Sequence, residues 1–421
     1  MSIERISRGV FVTLVLGALL RVVVYLWLPT LAGALDGRIE ISTPVSSYRR
    51  LHEGIFMYNN GIDPYAGNTV HSSPLILAFF TVLDRSTAGL NSLARVNQAR
   101  LAPISVQVVY GIVDLTAAYY LSVIGSLMTE TDKFQNCRYV IPNWVYSAVY
   151  LFNPFSLLTS LALSTTALAN GLVVISVGLA VQQLAYTSVV LMVFAGSIAF
   201  YPLYWLIPLG AICLDYQPKL AVVKLITFTL LTITLMGFIC QLVAPRSSWI
   251  SQTFGVILTF GELTPNIGLW WYFFIEMFDY FRPFFLGVFQ VHLFSYTIPT
   301  TIRLRRFPIF AFTVVLALTS LFKSYPEIGD FGLFYSLVPL FSFTFPHLKY
   351  RFVSSLTIFH AVALGPVFHH LWIYLGSGNA NFFYAITLVH SLGFTILLID
   401  LVWAILRIEY DGAQDNTVVQ I

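Results

Sequence analysis

The sequence is short of charged residues and of cysteines, and each shortage excludes a class of protein. Asp, Glu, Lys and Arg make up 10% of its 421 residues, whereas a soluble domain carries roughly a quarter. The net charge of +3, with no basic run suited to a phosphate backbone, argues against nucleic-acid binding. The three cysteines, Cys137, Cys213 and Cys240, stand apart, without the spacing of a disulfide framework or a zinc site.

Apolar sequence is abundant instead. Hydrophobic residues make up 57% of the chain and aromatic residues 16%, which predicts an all-α, polytopic membrane protein. We predict about twelve spans in a membrane domain of residues 1–408, followed by a short polar cytoplasmic tail, 409–421. The predicted spans are 9–31, 103–127, 143–159, 166–183, 187–201, 202–214, 220–243, 283–302, 308–322, 331–346, 352–368 and 382–406.

Basic residues between the spans set the predicted orientation, because cytoplasmic loops carry an excess of Lys and Arg. An even number of spans places both termini in the cytoplasm and residues 33–73 in a luminal loop. Residues 74–83 are apolar but short, which favours a re-entrant or interfacial piece. The basic residues that agree are Arg5, Arg8, Lys133, Arg138, Lys219, Lys224, Arg303, Arg305, Arg306, Lys349, Arg351 and Arg407, and those that conflict are Arg85, Arg95 and Arg100.

Arg21 lies inside the first span, where a charge is costly. Such a residue either carries a function or is neutralised by an acid, for which Asp114 is a candidate.

Residues 262–282 form an aromatic stretch that we place at the membrane surface, with a helix over 266–281. Asn266, Trp270, Trp271 and Glu276 are predicted to shape a surface that admits lipid chains or packs on a partner; a simple membrane anchor is the alternative. The next span closes on Arg303, Arg305 and Arg306, which we interpret as a phospholipid headgroup site or as a topology signal alone.

Three runs of residues are unusual in composition: LTPNIGLWWYFFIEMF at 263–278, FKSYP at 322–326, and HLWIY at 370–374 with NFFYAIT at 381–387. They resemble the phosphatidylinositol-glycan class U (PIG-U) family, polytopic subunits of glycosylphosphatidylinositol (GPI) transamidase. The resemblance implies a non-catalytic subunit in the endoplasmic reticulum membrane, without a cofactor. It also implies partners: a protease-like catalytic subunit, the other subunits of the complex, the GPI lipid and membrane phospholipids.

A lipid-linked mannosyltransferase is the alternative function. Residues 42–75 and Asn153-Pro154 resemble the polytopic GPI mannosyltransferases, which have a GT-C-type fold. Those enzymes need an acid just after the first helix, whereas residues 43–47 contain no ionisable group. Asp36, Glu40, Glu53 and Asp63 could in principle substitute. Glu53 stands before Gly54 and Asp63 before Pro64, where helix, cap and turn roles suffice. A transporter is a further alternative, which predicts internal repeats that we do not find.

Histidine and cysteine side chains are the other groups in the sequence that could bind a metal or act as a nucleophile. His369 and His370 point about 100° apart on a helix and have no nearby acid or cysteine, so no metal site is predicted. No cysteine lies in a polar segment beside a histidine, as a transamidase nucleophile would require.

The segment 376–383, GSGNANFF, is the predicted GPI-binding site. Small residues leave the backbone open to close approach, and the amides of Asn379 and Asn381 can donate and accept hydrogen bonds to sugar hydroxyls and phosphate oxygens. The alternative is an ordinary loop in which Asn381 caps the last helix.

Overall fold

The computed structural model describes residues 7–93, 103–129, 141–244 and 248–413, and every regular element in these ranges is a helix. The predicted all-α class is therefore confirmed. Arg5, Arg95, Arg100, Lys133, Cys137 and Arg138 lie outside the described residues. The helices are α1 (Arg8–Trp27), α2 (Leu31–Asp36), α3 (Tyr48–Asn59), α4 (Pro74–Leu93), α5 (Ile104–Thr129), α6 (Asn143–Phe152), α7 (Pro154–Leu161), α8 (Thr165–Val181), α9 (Ala185–Ala199), α10 (Leu206–Tyr216), α11 (Val222–Val243), α12 (Val256–Thr259), α13 (Trp270–Glu276), α14 (Arg282–Arg303), α15 (Pro308–Phe322), α16 (Ile328–Leu337), α17 (Arg351–Ile373) and α18 (Ala380–Ala413).

Six of the described helices are long and apolar enough to cross a membrane, namely α1, α5, α11, α17, α18 and α16 with its 3₁₀ extension to His347. Four more, α8, α9, α10 and α15, are apolar but shorter. The number twelve stays a prediction. The predicted break at Tyr201-Pro202 is confirmed by a 3₁₀ turn, Tyr201–Leu203, that separates α9 from α10.

The core lies around α8 and α15, which are apolar on all sides and buried at nearly every position. A helix that is hydrophobic all round belongs inside a large protein or a membrane. By contrast, only 22% of the apolar stretch of α1, and of α17, is buried, and only 11% of that of α11. These peripheral helices therefore face lipid or other subunits.

Contacts between connecting segments define one end of the helix bundle, which we call the loop end. Ile328 N donates to Glu40 O at 2.9 Å, Thr165 N donates to Ser46 O at 2.9 Å, and Tyr325 Oη donates to Glu262 O at 2.9 Å. The predicted luminal loop 33–73 therefore meets segments 260–281 and 323–328. Arg303 and Lys349 lie at the opposite end, because α14 leads away from the loop end and α17 returns to it.

Helix α4 continues to Leu93, ten residues beyond the short apolar segment that ends at Leu83. Two points along it lie at the loop end: Ser73, just before it, contacts Cys240 at 3.9 Å, and Thr87, in its second half, contacts Ser105 at the start of α5 at 3.1 Å. Arg85 donates to Asn59 there at 2.9 Å. Arg85 therefore lies at the loop end because α4 does not cross the bundle, which is the behaviour of an interfacial segment.

The predicted helix over 266–281 is wrong in extent, because α13 covers only Trp270–Glu276. Asn266 Oδ1 accepts from Gly268 N at 2.8 Å, a local side-chain bond that competes with helix formation. After Glu276 the chain is extended at Met277, and Asp279–Phe281 is a 3₁₀ turn. At the other boundary, α18 reaches Ala413, so residues 409–413 of the predicted tail are helical.

The predicted pairing of Arg21 is confirmed. Its Nη2 lies 2.7 Å from Asp114 Oδ2, with both side chains buried, and its Nε donates to the same oxygen at 2.9 Å. Ser160 also donates to that carboxylate. The pair ties α1 to α5 inside the bundle, which is the structural explanation of a charge within a span.

Candidate functional site

The loop end carries an ionic cluster around Glu262. Arg50 reaches both carboxylate oxygens, at 2.6 and 2.9 Å, and His71 Nε2 lies 2.7 Å from Oε1. Burial raises the pKa of Glu262, but the hydrogen bonds from His71 and Arg50 outweigh it and lower the pKa to about 2. The cluster thereby joins α3 and the first loop to the segment before α13.

A second carboxylate, Glu327, is completely buried beneath the first loop. Thr43 and Ser164 donate hydroxyl hydrogen bonds to it at 2.8 and 2.9 Å, and Ser46 donates a third. Glu327 also accepts from the backbone of Asp330 in a capping box at the start of α16. Burial and the charge of Asp330 raise the pKa of Glu327, against the influence of Lys323 and the hydroxyls. All its accepting directions are in use.

Residues 43–47 contain no acid, but the carboxylate of Glu327, 284 residues after Thr43, lies against them. Its hydrogen bonds make it unsuited to catalysis. A general base needs an open lone pair within reach of the substrate, and Glu327 has none. Asp36 is equally occupied, because it accepts from Ser42 and Ser47 and from the backbone of Tyr48 at the start of α3. These bonds give Asp36 a structural role at the start of α3.

An apolar groove runs down from the loop end between α7, α17 and α18. Its cavity volume is about 240 Å³, and Arg38 and Glu40 stand at its mouth. Gly365 opens the α17 wall, since a Cβ placed there would meet no atom within 4 Å. The groove is lined by Arg38, Glu40, Ile41, Pro154, Phe155, Leu158, Ile267, Ile328, Ala361, Val362, Gly365, Pro366, Phe383, Ile386, Thr387 and His390.

Asn379 and Asn381 lie beside this groove, both exposed. Asn379 Oδ1 accepts from Phe382 N at 3.2 Å, so Asn379 caps α18, not Asn381 as the alternative had it. Asn381 Oδ1 instead accepts from the hydroxyl of Tyr272. By helical spacing Asn379 shares a face with Phe383, Ile386 and His390, which line the groove over about 10 Å of its length. Their binding of a GPI remains a prediction.

The four residues predicted to shape a surface separate by burial. Asn266 and Trp270 are 0% exposed and Trp271 is 1% exposed, whereas Glu276 is exposed. Trp271 stacks on Trp372 at 6.1 Å between ring centroids, which joins α13 to α17. These three residues thus touch no lipid themselves and hold the scaffold from inside. Any surface role falls to their neighbours.

The basic cluster lies at the opposite end. Arg303 and Arg306 are more than half exposed, and both pair with Glu409 of α18, at 2.8 and 3.4 Å. Arg305 is also exposed. Among the described residues no group of three metal-ligating side chains occurs. The headgroup role of this cluster stays a prediction.

Comparison with known proteins decides the family. A family model described as GPI transamidase subunit PIG-U matches residues 15–390. The chain belongs to the PIG-U family. The GPI transamidase component GAB1 of Saccharomyces cerevisiae is 36% identical over 391 residues, 92% of this chain and 92% of that protein. The GPI-anchor transamidase component PIGU of Homo sapiens is 34% identical over 402 residues, 90% of each chain, and the GAB1 homolog of Schizosaccharomyces pombe is 34% identical over 387 residues, again 90% of each.

Membership of the PIG-U family makes this chain a multi-pass membrane subunit of the GPI transamidase complex, with other subunits as partners. It disfavours the mannosyltransferase alternative. Sequence reasoning missed the groove and the role of Glu327. Their parts come from segments far apart in the chain, and the one local sign of Glu327 was its place before Ile328, where Glu327 and Asp330 have the spacing of a capping box.

Proposed function

We propose that this chain is the non-catalytic subunit that holds the GPI lipid within the transamidase of the endoplasmic reticulum membrane. In this proposal a hydrocarbon chain of the lipid lies in the groove between α7, α17 and α18, and Asn379 and Asn381 face its polar part. A protease-like subunit performs the bond exchange. The groove carries the proposal, because it is apolar in its depth, polar at its mouth and open along exposed Val362 and Pro366.

The absence of catalysis by this subunit is supported by the state of its acids. Glu327 and Asp36, the carboxylates beneath and beside the first loop, are buried and fully hydrogen-bonded. Cys213 and Cys240, the cysteines within the described residues, are buried as well. Buried thiols without an adjacent base are inert.

Filling the groove tests the proposal. Gly365→Leu adds a side chain where nothing lies within 4 Å of the new Cβ, so the side chain enters the groove from an unobstructed position. We expect display of a GPI-anchored reporter to fall several-fold while the complex co-purifies in normal amount. Gly237→Leu is the matched control, since its Cβ is equally free on α11, outside the groove. Both changes favour helix formation. Normal anchoring with Gly365→Leu contradicts the proposal.

The asparagines are tested separately. Asn379→Ala with Asn381→Ala should impair anchoring while the complex still assembles. Loss of the Asn379 cap alone costs about 0.5–2 kcal/mol, so Asn379→Ser, which preserves a cap, separates recognition from folding. Tyr272→Phe removes only the hydroxyl that Asn381 accepts from. If the double mutant anchors reporters at the normal rate, these residues do not hold the GPI.

A further inference from the structure

Arg38 and Glu40, two positions apart in the chain, form an ion pair at the mouth of the groove. Arg38 Nε and Nη2 lie 3.3 and 3.1 Å from the two carboxylate oxygens of Glu40. We propose that Arg38 and Glu40 together recognise a phosphodiester that stands next to a primary ammonium on a lipid headgroup. This inference rests on the proposed function. It specifies which part of the lipid headgroup the protein recognises and which residues recognise it.

The pair is held in place before any ligand arrives. Ile41 N and Ser42 N both donate to Arg38 O at 3.0 Å, which makes a tight turn of the segment. Glu40 O accepts from Ile328 N at 2.9 Å, which fixes the turn to the start of α16. A preformed site loses little ordering entropy when a ligand binds. The rigid turn therefore suits recognition as well as structure.

Both side chains keep unused hydrogen-bonding capacity. A guanidinium has five N–H donors, and Glu40 takes one from Nε and one from Nη2, which leaves both Nη1 donors and one on Nη2. Within the described residues, Arg38 has no other acidic partner. The Arg38 side chain is 31% exposed and that of Glu40 is 10% exposed. An anion can therefore reach Arg38 while a cation reaches the second lone pairs of Glu40.

A third polar group stands close to the pair. His369 is 6% exposed, and its Nδ1 is buried without a hydrogen-bond partner among the described residues. The charges of Glu40 and Arg38 act on its ring, which also packs against Phe383 of the groove at 5.3 Å. A buried polar atom left unpaired is costly. The imidazole is thus a buried polar group beside Phe383 and outside the groove lining.

Opposite charges side by side select a particular ligand chemistry. A phosphodiester alone would leave Glu40 facing an anion, and an amine alone would leave Arg38 facing a cation. A zwitterion satisfies both through charge-assisted hydrogen bonds. This arrangement occurs in the glucosamine next to the inositol phosphate of a GPI and in the ethanolamine of phosphatidylethanolamine.

The test uses the purified transamidase complex in nanodiscs with glucosaminyl-phosphatidylinositol as the probe. Its N-acetylated counterpart keeps the phosphate, the sugar and the chains but removes the ammonium. We expect the wild-type complex to bind the amine form at least fivefold more tightly. Glu40→Gln should reduce that preference to less than twofold, whereas Arg38→Gln should weaken both forms at least fivefold.

A charge swap separates recognition from structure. Arg38→Glu with Glu40→Arg preserves an ion pair within the turn but exchanges the positions of the charges, and we expect it to bind no better than Arg38→Gln. The matched control is Arg407→Asp with Asp411→Arg, a swap of the 2.8 Å pair at the opposite end, which should leave binding unchanged. Competition by phosphatidylethanolamine, but not by phosphatidylcholine, would assign the zwitterion to an ordinary phospholipid; no competition by either assigns it to the GPI.

Equal binding of the two probes by wild type, or full binding by the swap, overturns this inference. The proposed function then still stands as long as Gly365→Leu weakens both probes. If wild type binds neither probe, or Gly365→Leu has no effect, the proposed function itself fails. The comparison of the two probes on wild type requires no variant to fold.

Discussion

At the scale of single residues, the buried charges of this protein are explained by their partners. Arg21 could be assigned a partner from the sequence because few acids occur within the spans, and Asp114 is one of them. Glu327 could not be assigned its partners, because three hydroxyls from two distant segments satisfy it. A charged residue within an apolar span is easy to recognise in the sequence. The distant hydroxyl groups that satisfy a buried carboxylate are not.

Removal of one member of the Arg21–Asp114 pair should be strongly destabilising. Arg21→Ala leaves a buried carboxylate unpaired, which costs about 3–5 kcal/mol. Arg21→Met with Asp114→Leu removes both charges and should recover most of that loss. Thermal unfolding of the complex in detergent measures the effect. Arg85→Ala, which removes only an exposed hydrogen bond to Asn59, is the control with little expected change. A single mutant as stable as the double mutant would contradict the role of the pair.

Glu262 should make the loop end sensitive to acid. Its pKa falls from 4.5 to about 2 on folding, so the folded state favours the ionised form. The stability that this provides is complete above about pH 4.5 and is lost as the pH falls towards 2. The Glu262→Gln variant should be less stable than wild type at neutral pH, and its stability should fall less than that of wild type between about pH 4.5 and pH 2. Melting temperature against pH measures this, with Glu276→Gln, at an exposed position of α13, as the control. Parallel curves for wild type and Glu262→Gln would refute it.

At the scale of elements, sequence patterns located most helices and failed where side chains replace helical hydrogen bonds. Candidate spans coincide with helices such as α5, α11 and α18 because apolar length is a local property. The stretch at 266–281 reads as one amphipathic helix, but Asn266 bonds to Gly268, and a new helix begins at Arg282 with Pro283 in its first turn. Trp271 is turned inward because Trp372 of α17 and Phe383 of α18 cover it, and neither helix is near in sequence.

Burial of α13 changes the expected result of tryptophan replacement. Trp270→Ala with Trp271→Ala removes two side chains that are at most 1% exposed, and each such change costs about 3–5 kcal/mol. We expect the amount of assembled complex and the level of GPI anchoring to fall together. Phe278→Ala, which removes an 80% exposed ring from the same stretch, is the control with little effect on abundance. Anchoring lost at normal abundance would show instead that the tryptophans act on the substrate.

At the scale of the whole molecule, the direction of the helices puts Lys219, Arg303 and Lys349 opposite the loop end. The excess of Lys and Arg in cytoplasmic loops then predicts that the loop end lies in the lumen. The sequence has no Asn-X-Ser/Thr acceptor, so an inserted one reports without background. An acceptor inserted beside Gly61, in the exposed turn after α3, should be glycosylated. One inserted between α10 and α11, beside Lys219, should not be. Mobility on gels before and after glycosidase treatment measures this, and the reverse pattern would invert the topology.

Of the candidate site, the sequence indicated Asn379 and Asn381 but not the groove beside them. The two asparagines stand out locally, in a glycine-rich turn before an apolar run. The groove requires α7, α17 and α18 to meet, and its mouth comes from Arg38 and Glu40, over 300 residues before α17. Apolar periodicity places a helix in a membrane, yet it does not say which helices become neighbours.

The buried contacts of Glu327 also have a consequence for the order of synthesis. Thr43 and Ser46 leave the ribosome 284 and 281 residues before their acceptor. At about 5–20 residues per second, this is a delay of roughly 15–60 s. During that time the first loop exists with its hydroxyls bonded only to water or to each other. More than three-quarters of the 421 residues must therefore be made before the first loop can take its final form, and any chain that stops before Glu327 leaves this loop open to the chaperones of the compartment in which it lies.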